Sequence, residues 1–322
     1  MNKTVALFLE HESNPYVQYI RAQAEREAKQ HDLEVETFYC DNRFVQIQQL
    51  YSAIHSQRRR PIAVAVMPAR EGSLARVARA ALGSGMDWIC LHRRTGELET
   101  LRRAFPRNVA TLVAPNQHEI GRQQARLVRA LGADGPVLYV QGNAANASTQ
   151  ERLAGFRQVA TFTDEAGIID GNWTTEDARL ATERWLHIML PSLGTLGAAV
   201  CQSDAMAIGV KGALAEAAAR TGRSDLQHVP VIGCDGIPDV GRRLVDEKQL
   251  AGTVVIQDVG AFAVRLVAKR LRGQVPSQNV VLSPSCYSAI GFHAEPLPLP
   301  EAVPVVAAAS AVAAPEPVAA YA

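Results

Sequence analysis

Short apolar runs alternate with longer segments of helical period along almost the whole of this sequence. Nine continuous apolar runs of five to seven residues are present, and such runs are typical of strands that helices cover on both faces. The segments between them are amphipathic, as in residues 17–28, where the apolar residues fall on one stripe. This alternation predicts right-handed βαβ units and a doubly wound α/β fold. The strand-like runs are Thr4–Leu9, Leu33–Tyr39, Ile62–Met67, Trp88–His92, Pro136–Gln141, Gly167–Gly171, Ala198–Gln202, Val229–Cys234 and Thr253–Gln257.

The series of units is interrupted once, near residue 114. An extended run is followed there by Ala114-Pro115-Asn116, where the proline forces its predecessor out of the helical region, and a new series begins beyond it. We therefore expect two similar doubly wound parallel-sheet lobes joined by a hinge that the chain crosses more than once. The expected N-terminal lobe holds residues 1–113 plus about 257–284, and the expected C-terminal lobe holds 114–256 plus about 285–293. Ligands of open α/β sheets bind beyond the carboxyl ends of the strands, so two facing edges would form a cleft.

Net charge excludes several classes of partner. Lys and Arg number 33 against 32 Asp and Glu, which gives a formal charge of +1. A chain so close to neutrality has no long-range field to attract nucleic acid or an anionic membrane. We therefore expect no nucleic-acid partner and no direct insertion into a membrane.

The two ends of the chain differ from its middle. The apolar run after Lys3 stops at Glu10, whereas a secretory signal has an apolar stretch of about 7–15 residues and a cleavage site. We expect a cytoplasmic protein on this basis, or a periplasmic one if the true start lies upstream. Residues 294–322 hold 11 Ala and 6 of the 17 Pro, and we expect them to form a disordered Pro/Ala-rich tail.

Signatures of common enzymes and metal sites are missing. The sequence has no G-x-G-x-x-G after the first strand, no phosphate-binding P-loop, no G-x-S-x-G and no H-E-x-x-H. Its five cysteines are scattered and odd in number, which favours reduced, buried side chains over disulfides or zinc. Only His92 and His11 could serve as catalytic bases in the cleft, and neither has an evident partner. We expect no enzymatic activity, no cofactor and no metal.

Polar and aromatic residues follow the predicted strands. They include Asn14 and Tyr16 after the first strand, Trp173 in the second lobe and Asp235 after a later strand. A polyol needs hydrogen-bond donors and acceptors for its hydroxyl groups and an aromatic face for its C–H surface. The strand ends therefore favour a site that binds a small polar ligand without transforming it.

Six segments carry motifs that occur in this order along the chain: Ser13-Asn14-Pro15-Tyr16, 116–122 (NQHEIGR), 151–156 (ERLAGF), 202–209 (QSDAMAIG), 231–236 (VIGCDG) and 253–258. Together they resemble the type I periplasmic sugar-binding proteins and the related effector domains of lactose-repressor-type regulators, over residues 4 to 292. The resemblance implies a two-lobed receptor that closes over a sugar or polyol by hinge bending.

The same resemblance implies a set of ligand contacts. Tyr16 and Trp173 would face each other across the ligand, while Arg93 and Asp235 would bind hydroxyl groups through charged hydrogen bonds. Four positions depart from the family pattern, because His92, Val17, Gln150 and Ser203 stand where an aspartate, an aromatic residue, an arginine and an asparagine are usual. The predicted ligand-binding residues are Asn14, Tyr16, His92, Arg93, Gln150, Trp173, Ser203, Asp235 and Gln257.

Several of these residues also have structural interpretations. Asp235 could cap a helix near Ile237, and Asp204 could be the N-cap of the helix that follows it. His92 is either a pH-sensitive ligand contact or a histidine whose hydrogen bonds are made within the fold.

Two biological roles remain compatible with such a receptor. The first is a solute-binding component of an ABC-type sugar transporter, with a permease as partner. The alternative is an intracellular ligand sensor or regulator subunit that lacks its own DNA-binding domain and acts through a signalling partner.

Overall fold

Twelve strands form two separate six-stranded sheets. The computed structural model describes residues 3–40, 42–56, 59–69, 74–93, 98–133, 135–160, 165–274 and 278–292. The predicted tail at 294–322 lies outside these ranges. The strands are β1 (Thr4–Glu10), β2 (Glu34–Cys40), β3 (Ala63–Val66), β4 (Asp87–Leu91), β5 (Ala110–Pro115), β6 (Val137–Gln141), β7 (Glu165–Asp170), β8 (Ala198–Cys201), β9 (Val231–Asp235), β10 (Gly252–Val255), β11 (Asn279–Leu282) and β12 (Ser285–Ser288).

Ten α-helices of the described residues cover these sheets. A 3₁₀ turn at Ser224–His228 and a π-helical turn at Pro238–Arg242 complete the regular structure. No helix among the described residues is long and apolar enough to cross a bilayer. The helices are α1 (Pro15–Lys29), α2 (Arg43–His55), α3 (Ala75–Gly83), α4 (Leu98–Ala104), α5 (Gln117–Ala130), α6 (Ala147–Val159), α7 (Thr175–Met189), α8 (Asp204–Thr221), α9 (Arg243–Asp246) and α10 (Val259–Leu271).

The two sheets have the same strand order with respect to the chain. The sheet of the first lobe, the N lobe, runs β11-β5-β4-β3-β1-β2, and that of the second, the C lobe, runs β12-β10-β9-β8-β6-β7. All pairs are parallel except β10 with β12. The prediction of two similar doubly wound lobes is confirmed. β11 and β12 were not predicted, because each of these four-residue edge strands holds a single buried residue and gives no long apolar run.

The described chain passes between the two sheets three times, after β5, after β10 and after β11. Hydrogen bonds join the crossing segments to one another. The amide of Asn116 donates to the carbonyl of Leu282, and Nε2 of Gln257 donates to the carbonyl of Ser283, at 2.9 and 2.8 Å. The three crossings therefore form one hinge rather than three independent linkers.

Each sheet has a core on both faces. In the N lobe, α1 and α10 pack on one face and α2, α3 and α4 on the other. In the C lobe, α7 and α8 cover one face and α5 and α6 the other. A smaller cluster lies at the hinge. There Tyr16 of the N lobe packs against a group of apolar residues from the C lobe and from the crossing after β10, namely Ile120, Cys234, Val254 and Ile256. All five cysteines are buried thiols outside any disulfide.

Helices α5 and α6 cross at very short range. A Cβ on Gly121 would lie 1.9 Å from the carbonyl oxygen of Arg152, and one on Gly155 would lie 2.0 Å from that of His118. Only glycine permits this backbone approach, since real Cβ atoms are essentially never found closer than 3.0 Å to such atoms. The crossing fixes the position of Arg152 relative to the start of α5.

Candidate ligand-binding site

A cavity of about 670 Å³ lies between the lobes. Its walls come from the segments that follow β1, β3 and β4 in the N lobe and β6, β7, β8 and β9 in the C lobe. These are the carboxyl ends of the parallel strands, where open α/β sheets bind their ligands. The volume falls within the roughly 300–1,000 Å³ usual for small-molecule sites.

Tyr16 and His92 form a pair on the N-lobe wall. The hydroxyl of Tyr16 lies 3.0 Å from Nε2 of His92, and the two rings meet edge to face with centroids 5.3 Å apart. Asn14 stands beside them as the N-cap of α1, where its Oδ1 accepts a hydrogen bond from the amide of Tyr16 at 2.9 Å. The N-cap fixes the first turn of α1 and with it the position of the Tyr16 ring.

Burial keeps His92 neutral. Desolvation, followed by the positive charges of Arg152 and Arg93, lowers the pKa of His92 from 6.5 to about 3. Desolvation and the neighbouring Asp235 raise the pKa of Tyr16 well above its ordinary value. Both partners of the pair are therefore uncharged near neutral pH, and the histidine is satisfied within the fold.

Arg93 has a charged partner of its own. Its Nη1 donates to Oε1 of Glu10 at 2.8 Å and to the carbonyl of Pro68 at 2.7 Å. Less than a fifth of either charged side chain is exposed. The N-lobe wall thus carries one positive and one negative charge that compensate each other.

Arg152 lies on the C-lobe wall and is only 4% exposed. Its Nε donates to Oε1 of Gln117 at 2.7 Å, and its Nη1 donates to the carbonyl of Gln202 at 2.6 Å. The guanidinium carbon lies 5.5 Å from the centroid of the Trp173 ring, which gives a cation–π contact. The residue is held in place on three sides within the cavity wall.

Trp173 reaches the cavity because its neighbour in space is a glycine. A Cβ on Gly142 would lie 2.0 Å from the indole ring, so the ring packs directly on the backbone after β6. The indole contributes an aromatic face to the C-lobe wall. Tyr16 contributes the aromatic residue of the opposite wall.

Asp235 and Asp204 are neighbours in the cavity wall, but they differ in their bonding. Asp204 accepts from the hydroxyl of Thr253 at 2.6 Å and from the amide of Gly236 at 2.9 Å, so it fastens the segment after β9. Ser203, not Asp204, is the N-cap of α8. Asp235 accepts from the amide of Asp204 and does not cap the helical turn that begins after Ile237. Burial first, then the neighbouring acid, raises the pKa of Asp235 well above its ordinary value.

Backbone strain is concentrated around the cavity. Seven non-glycine residues of the described chain have positive φ angles, between 35° and 114°. Five of them line the cavity, namely His11, His92, Asn172, Trp173 and Asp235. Non-glycine residues held in this region cost of order 1–3 kcal/mol each and cluster at ligand sites. The strain therefore marks the cavity as a functional site.

A family model described as a periplasmic binding protein domain matches residues 5–274. The chain belongs to the periplasmic binding protein domain family. This membership confirms the resemblance seen in the sequence, and a family of binding proteins agrees with the prediction that the chain is not an enzyme. No group of three or more His, Cys, Asp or Glu in the described part of the chain could hold a metal ion.

Solved structures share the fold at low identity. An ABC transporter solute-binding protein from Actinobacillus succinogenes with bound D-allose is 22% identical, with a TM-score of 0.75 over 90% of this chain and 98% of that one. The Caulobacter myo-inositol binding protein with bound myo-inositol is 21% identical, with a TM-score of 0.70 over 89% and 93%. The fructose-binding periplasmic domain of a hybrid two-component system is 16% identical, with a TM-score of 0.70 over 89% and 91%. No curated protein sequence matches the chain significantly.

Seven of the nine predicted site residues line the cavity between the lobes. They are Asn14, Tyr16, His92, Arg93, Trp173, Ser203 and Asp235. Contact with a ligand stays a prediction for each of them. Asn14 and Ser203 also serve as N-caps of α1 and α8.

The structure does not bring the other two to the cavity. Gln150 is exposed and its Nε2 turns back to the carbonyl of Ala144 at 3.0 Å. It lies two residues from both Ser148 and Arg152, and positions two apart on a helix point to different sides. Gln257 is also exposed and braces the hinge through the carbonyl of Ser283.

Sequence reasoning missed Arg152 and Gln117. Both lie within motifs that carried the resemblance, ERLAGF and NQHEIGR. Arg152 lies in the middle of α6, so a search of strand ends could not find it. Gln117 follows β5 by two residues, but that segment was interpreted only as the crossing between the lobes. The usable signal was spacing, because Ser148 and Arg152 are four residues apart on α6 and so share one face.

Proposed function

We propose that this periplasmic binding protein binds a small polyhydroxylated ligand, a sugar or polyol, between its lobes and releases it unchanged. In this proposal it serves as the solute-binding component of an ABC-type sugar transporter. The structures with D-allose and myo-inositol support the ligand class, since both proteins share the fold over nearly the whole of their length.

One observation carries the proposal. Arg152 and Asp235 both line the cavity and interact electrostatically, yet no ion pair joins them. A hydroxyl group can accept from the guanidinium and form a hydrogen bond with the carboxyl group of Asp235, and neighbouring hydroxyls of a sugar can do both together. The indole of Trp173, on the same wall, offers the flat apolar surface that the C–H face of a sugar ring covers.

Closure follows from the placement of the two walls. A ligand shifts a population toward the closed form only if it binds that form more tightly. A ligand that touches Tyr16 and Arg93 of the N lobe as well as Trp173 and Asp235 of the C lobe meets this condition. The three crossings supply the hinge about which such binding proteins close.

Removal of the Asp235 carboxylate tests the site. Asp235→Gly suits the backbone, because φ is 114° at this residue and glycine adopts that conformation without strain. We expect a thermal-shift screen of aldoses and inositols to raise the melting temperature of the wild type and to leave that of Asp235→Gly unchanged. Asp239→Gly, at an exposed position outside the cavity, is the matched control and should respond as the wild type does. Equal stabilisation of Asp235→Gly would place the ligand elsewhere.

A second role is favoured by one of the structural neighbours. The fructose-binding domain of a hybrid two-component system has this fold, so the same site also suits a sensor with a signalling partner. Deletion of the gene separates the roles, because a transport component is needed for uptake of labelled ligand and a sensor for the transcriptional response to it. Localisation stays a prediction. Cell fractionation tests it. A cytoplasmic protein would contradict the transport role, whereas a periplasmic one agrees with both roles, since the sensor neighbour is a periplasmic domain.

A further inference from the structure

Arg152 is a buried cation without an anionic partner. Its side-chain contacts are Gln117, the carbonyl of Gln202, the sulfur of Cys234 at 3.6 Å and the Trp173 ring, all of them neutral. No carboxylate of the described residues lies within 4 Å of its guanidinium. A buried charge without a counter-charge is costly, so such an arrangement calls for a partner that the protein itself does not supply.

Buried charged side chains away from the cavity have counter-ions in the described chain. Glu119 is 1% exposed and lies 2.7 and 2.9 Å from Arg122 and Arg126. Asp87 is fully buried and pairs with Arg270. The buried charged side chains of the described residues that lack an ion pair are Arg152, Asp204 and Asp235, and all three line the cavity.

Gln117 provides a second, independent sign of a missing ligand group. It is 5% exposed and lines the cavity. Its Oε1 accepts the hydrogen bond from Arg152, whereas its Nε2 has no hydrogen-bond partner. An unsatisfied buried donor is unfavourable, and a ligand acceptor bound to it would remove that cost. The free donor thus lies on the side chain that already holds the guanidinium.

The start of α6 adds donors to the same wall. The Asn146 side chain makes no cap hydrogen bond to α6, whereas Asn116 and Thr174 cap α5 and α7. Asn146 and Ser148 line the cavity, one turn before Arg152. Uncapped amides at a helix start carry partial positive charge and favour an anion.

Asp235, on the same wall, does not repel an anion when it is neutral. Burial and the adjacent Asp204 raise the pKa of Asp235, which favours its neutral form. A neutral carboxyl group can donate a hydrogen bond to an acceptor. Across the cavity, His92 is neutral and Arg93 is paired with Glu10, so the N-lobe wall adds no net charge.

Resting on the proposed function, we propose that the ligand is an acidic polyol whose carboxylate or phosphate binds Arg152, the free amide of Gln117 and the start of α6. The remaining hydroxyl groups occupy the rest of the cavity beside Trp173 and Asp235. The shared chemistry is a polyhydroxylated anion, whether a sugar acid or a sugar phosphate.

Calorimetry on the wild-type protein tests the charge of the ligand. The titrants are glucose, glucuronate, gluconate and glucose 6-phosphate, then the same set built on galactose and on ribose, with acetate and inorganic phosphate alone. Because a charge-assisted hydrogen bond contributes about 1.5–3 kcal/mol, we expect an acidic member to bind roughly tenfold to a hundredfold more tightly than its neutral parent. The acid and phosphate arms identify which anionic group is preferred.

The possible outcomes separate the two proposals. Neutral sugars that bind as tightly as their acids, or more tightly, overturn the anionic ligand and leave the proposed function intact. Acetate or phosphate that binds as tightly as every acidic sugar overturns the polyol part and the proposed function with it. A protein that binds no member of the three series contradicts both.

Substitution of Arg152 tests the assigned residue. Arg152→Met should remove the preference for the acid over its neutral parent, while Arg157→Met, an exposed arginine on the same helix, should keep it. Arg152→Lys retains the charge and should retain the sign of the preference. If Arg152→Met does not fold, as judged by circular dichroism, the lysine variant decides, since a lysine variant that prefers the neutral sugar contradicts the assignment. An undiminished preference in Arg152→Met also contradicts it.

Discussion

The two walls of the cleft differ in how completely their polar groups are satisfied by the protein itself. On the N-lobe wall, Tyr16 bonds to His92 and Arg93 to Glu10. On the C-lobe wall, Arg152 has no counter-ion, Gln117 has a free donor and the start of α6 is uncapped. Unsatisfied buried groups gain most from a ligand, so we infer that the C lobe supplies most of the directional binding energy. The N lobe then serves mainly as the face that closes.

The difference has a structural origin in helix packing. The C-lobe wall depends on α5 and α6, whose glycines allow backbone contact and bring Gln117 next to Arg152. The N-lobe wall depends instead on short segments directly after β1 and β4. The geometry of the C-lobe wall therefore depends on the positions of two helices, and that of the N-lobe wall depends on the conformation of turns.

The largest effect is expected at the crossing of α5 and α6. Gly155→Ala would place a Cβ 2.0 Å from the carbonyl oxygen of His118, so the helices must separate. Overpacking of this kind costs typically 1–3 kcal/mol and occasionally more, and we expect about 3 kcal/mol in urea unfolding. Gly212→Ala, a helical position with no atom within 4 Å of the new Cβ, should be neutral or stabilising. Equal stability of the two variants would show that α5 and α6 are not held in close contact.

A smaller effect is expected from the aromatic residues, and it compares the walls directly. Trp173→Ala removes the aromatic face of the C-lobe wall and should weaken ligand binding about tenfold, as the loss of an aromatic contact of about 1.5 kcal/mol implies. Tyr16→Phe keeps the ring of the N-lobe wall and loses only its bond to His92. Its affinity should fall by no more than about threefold, since a neutral hydrogen bond is worth roughly 0.5–1.5 kcal/mol and this one lies within the protein. Calorimetric constants in the reverse order would assign the main binding energy to the N lobe.

Much of the fold could be predicted because buried parallel strands produce continuous apolar runs. β1 and β4 stand out in this way, since every residue but Glu10 of the first and all of the second are buried. β11 and β12 gave no such signal, because each lies at a sheet edge and is set by the hinge rather than by its own pattern.

The site could be predicted only in part, for a related reason. Residues at the end of a strand or in the turn that follows it are placed by the sheet, so sequence position alone brings them to the cleft. Asp235 is the last residue of β9, and Tyr16 lies in the first turn of α1, six residues after β1. Arg152 and Gln117 are placed by the contact of two helices, which depends on Gly121 and Gly155 in three dimensions. Gln150 was predicted at the site for the opposite reason. Several polar residues lie in the first two turns of α6, and the sequence motif does not show which of them face the cavity.

The smallest effect is a pH dependence of stability from the N-lobe wall. The pKa of His92 is lowered to about 3 in the folded protein, whereas an unfolded histidine titrates near 6.5. Below pH 6.5 the unfolded chain binds a proton that the folded protein does not, so the free energy of unfolding falls as the pH falls, by at most about 1.4 kcal/mol per pH unit. The side chain is half-buried, so solvent reduces the pKa shift and with it the total loss of stability.

His92→Asn removes this contribution, and asparagine tolerates the φ of 63° at this position. Urea unfolding at pH 7.0 and pH 5.0 should show a smaller loss of stability for the variant than for the wild type. Identical losses would mean that His92 accepts a proton in the folded state. In that case the N-lobe wall would carry an uncompensated positive charge in acid, and the contrast between the two walls would hold only near neutral pH.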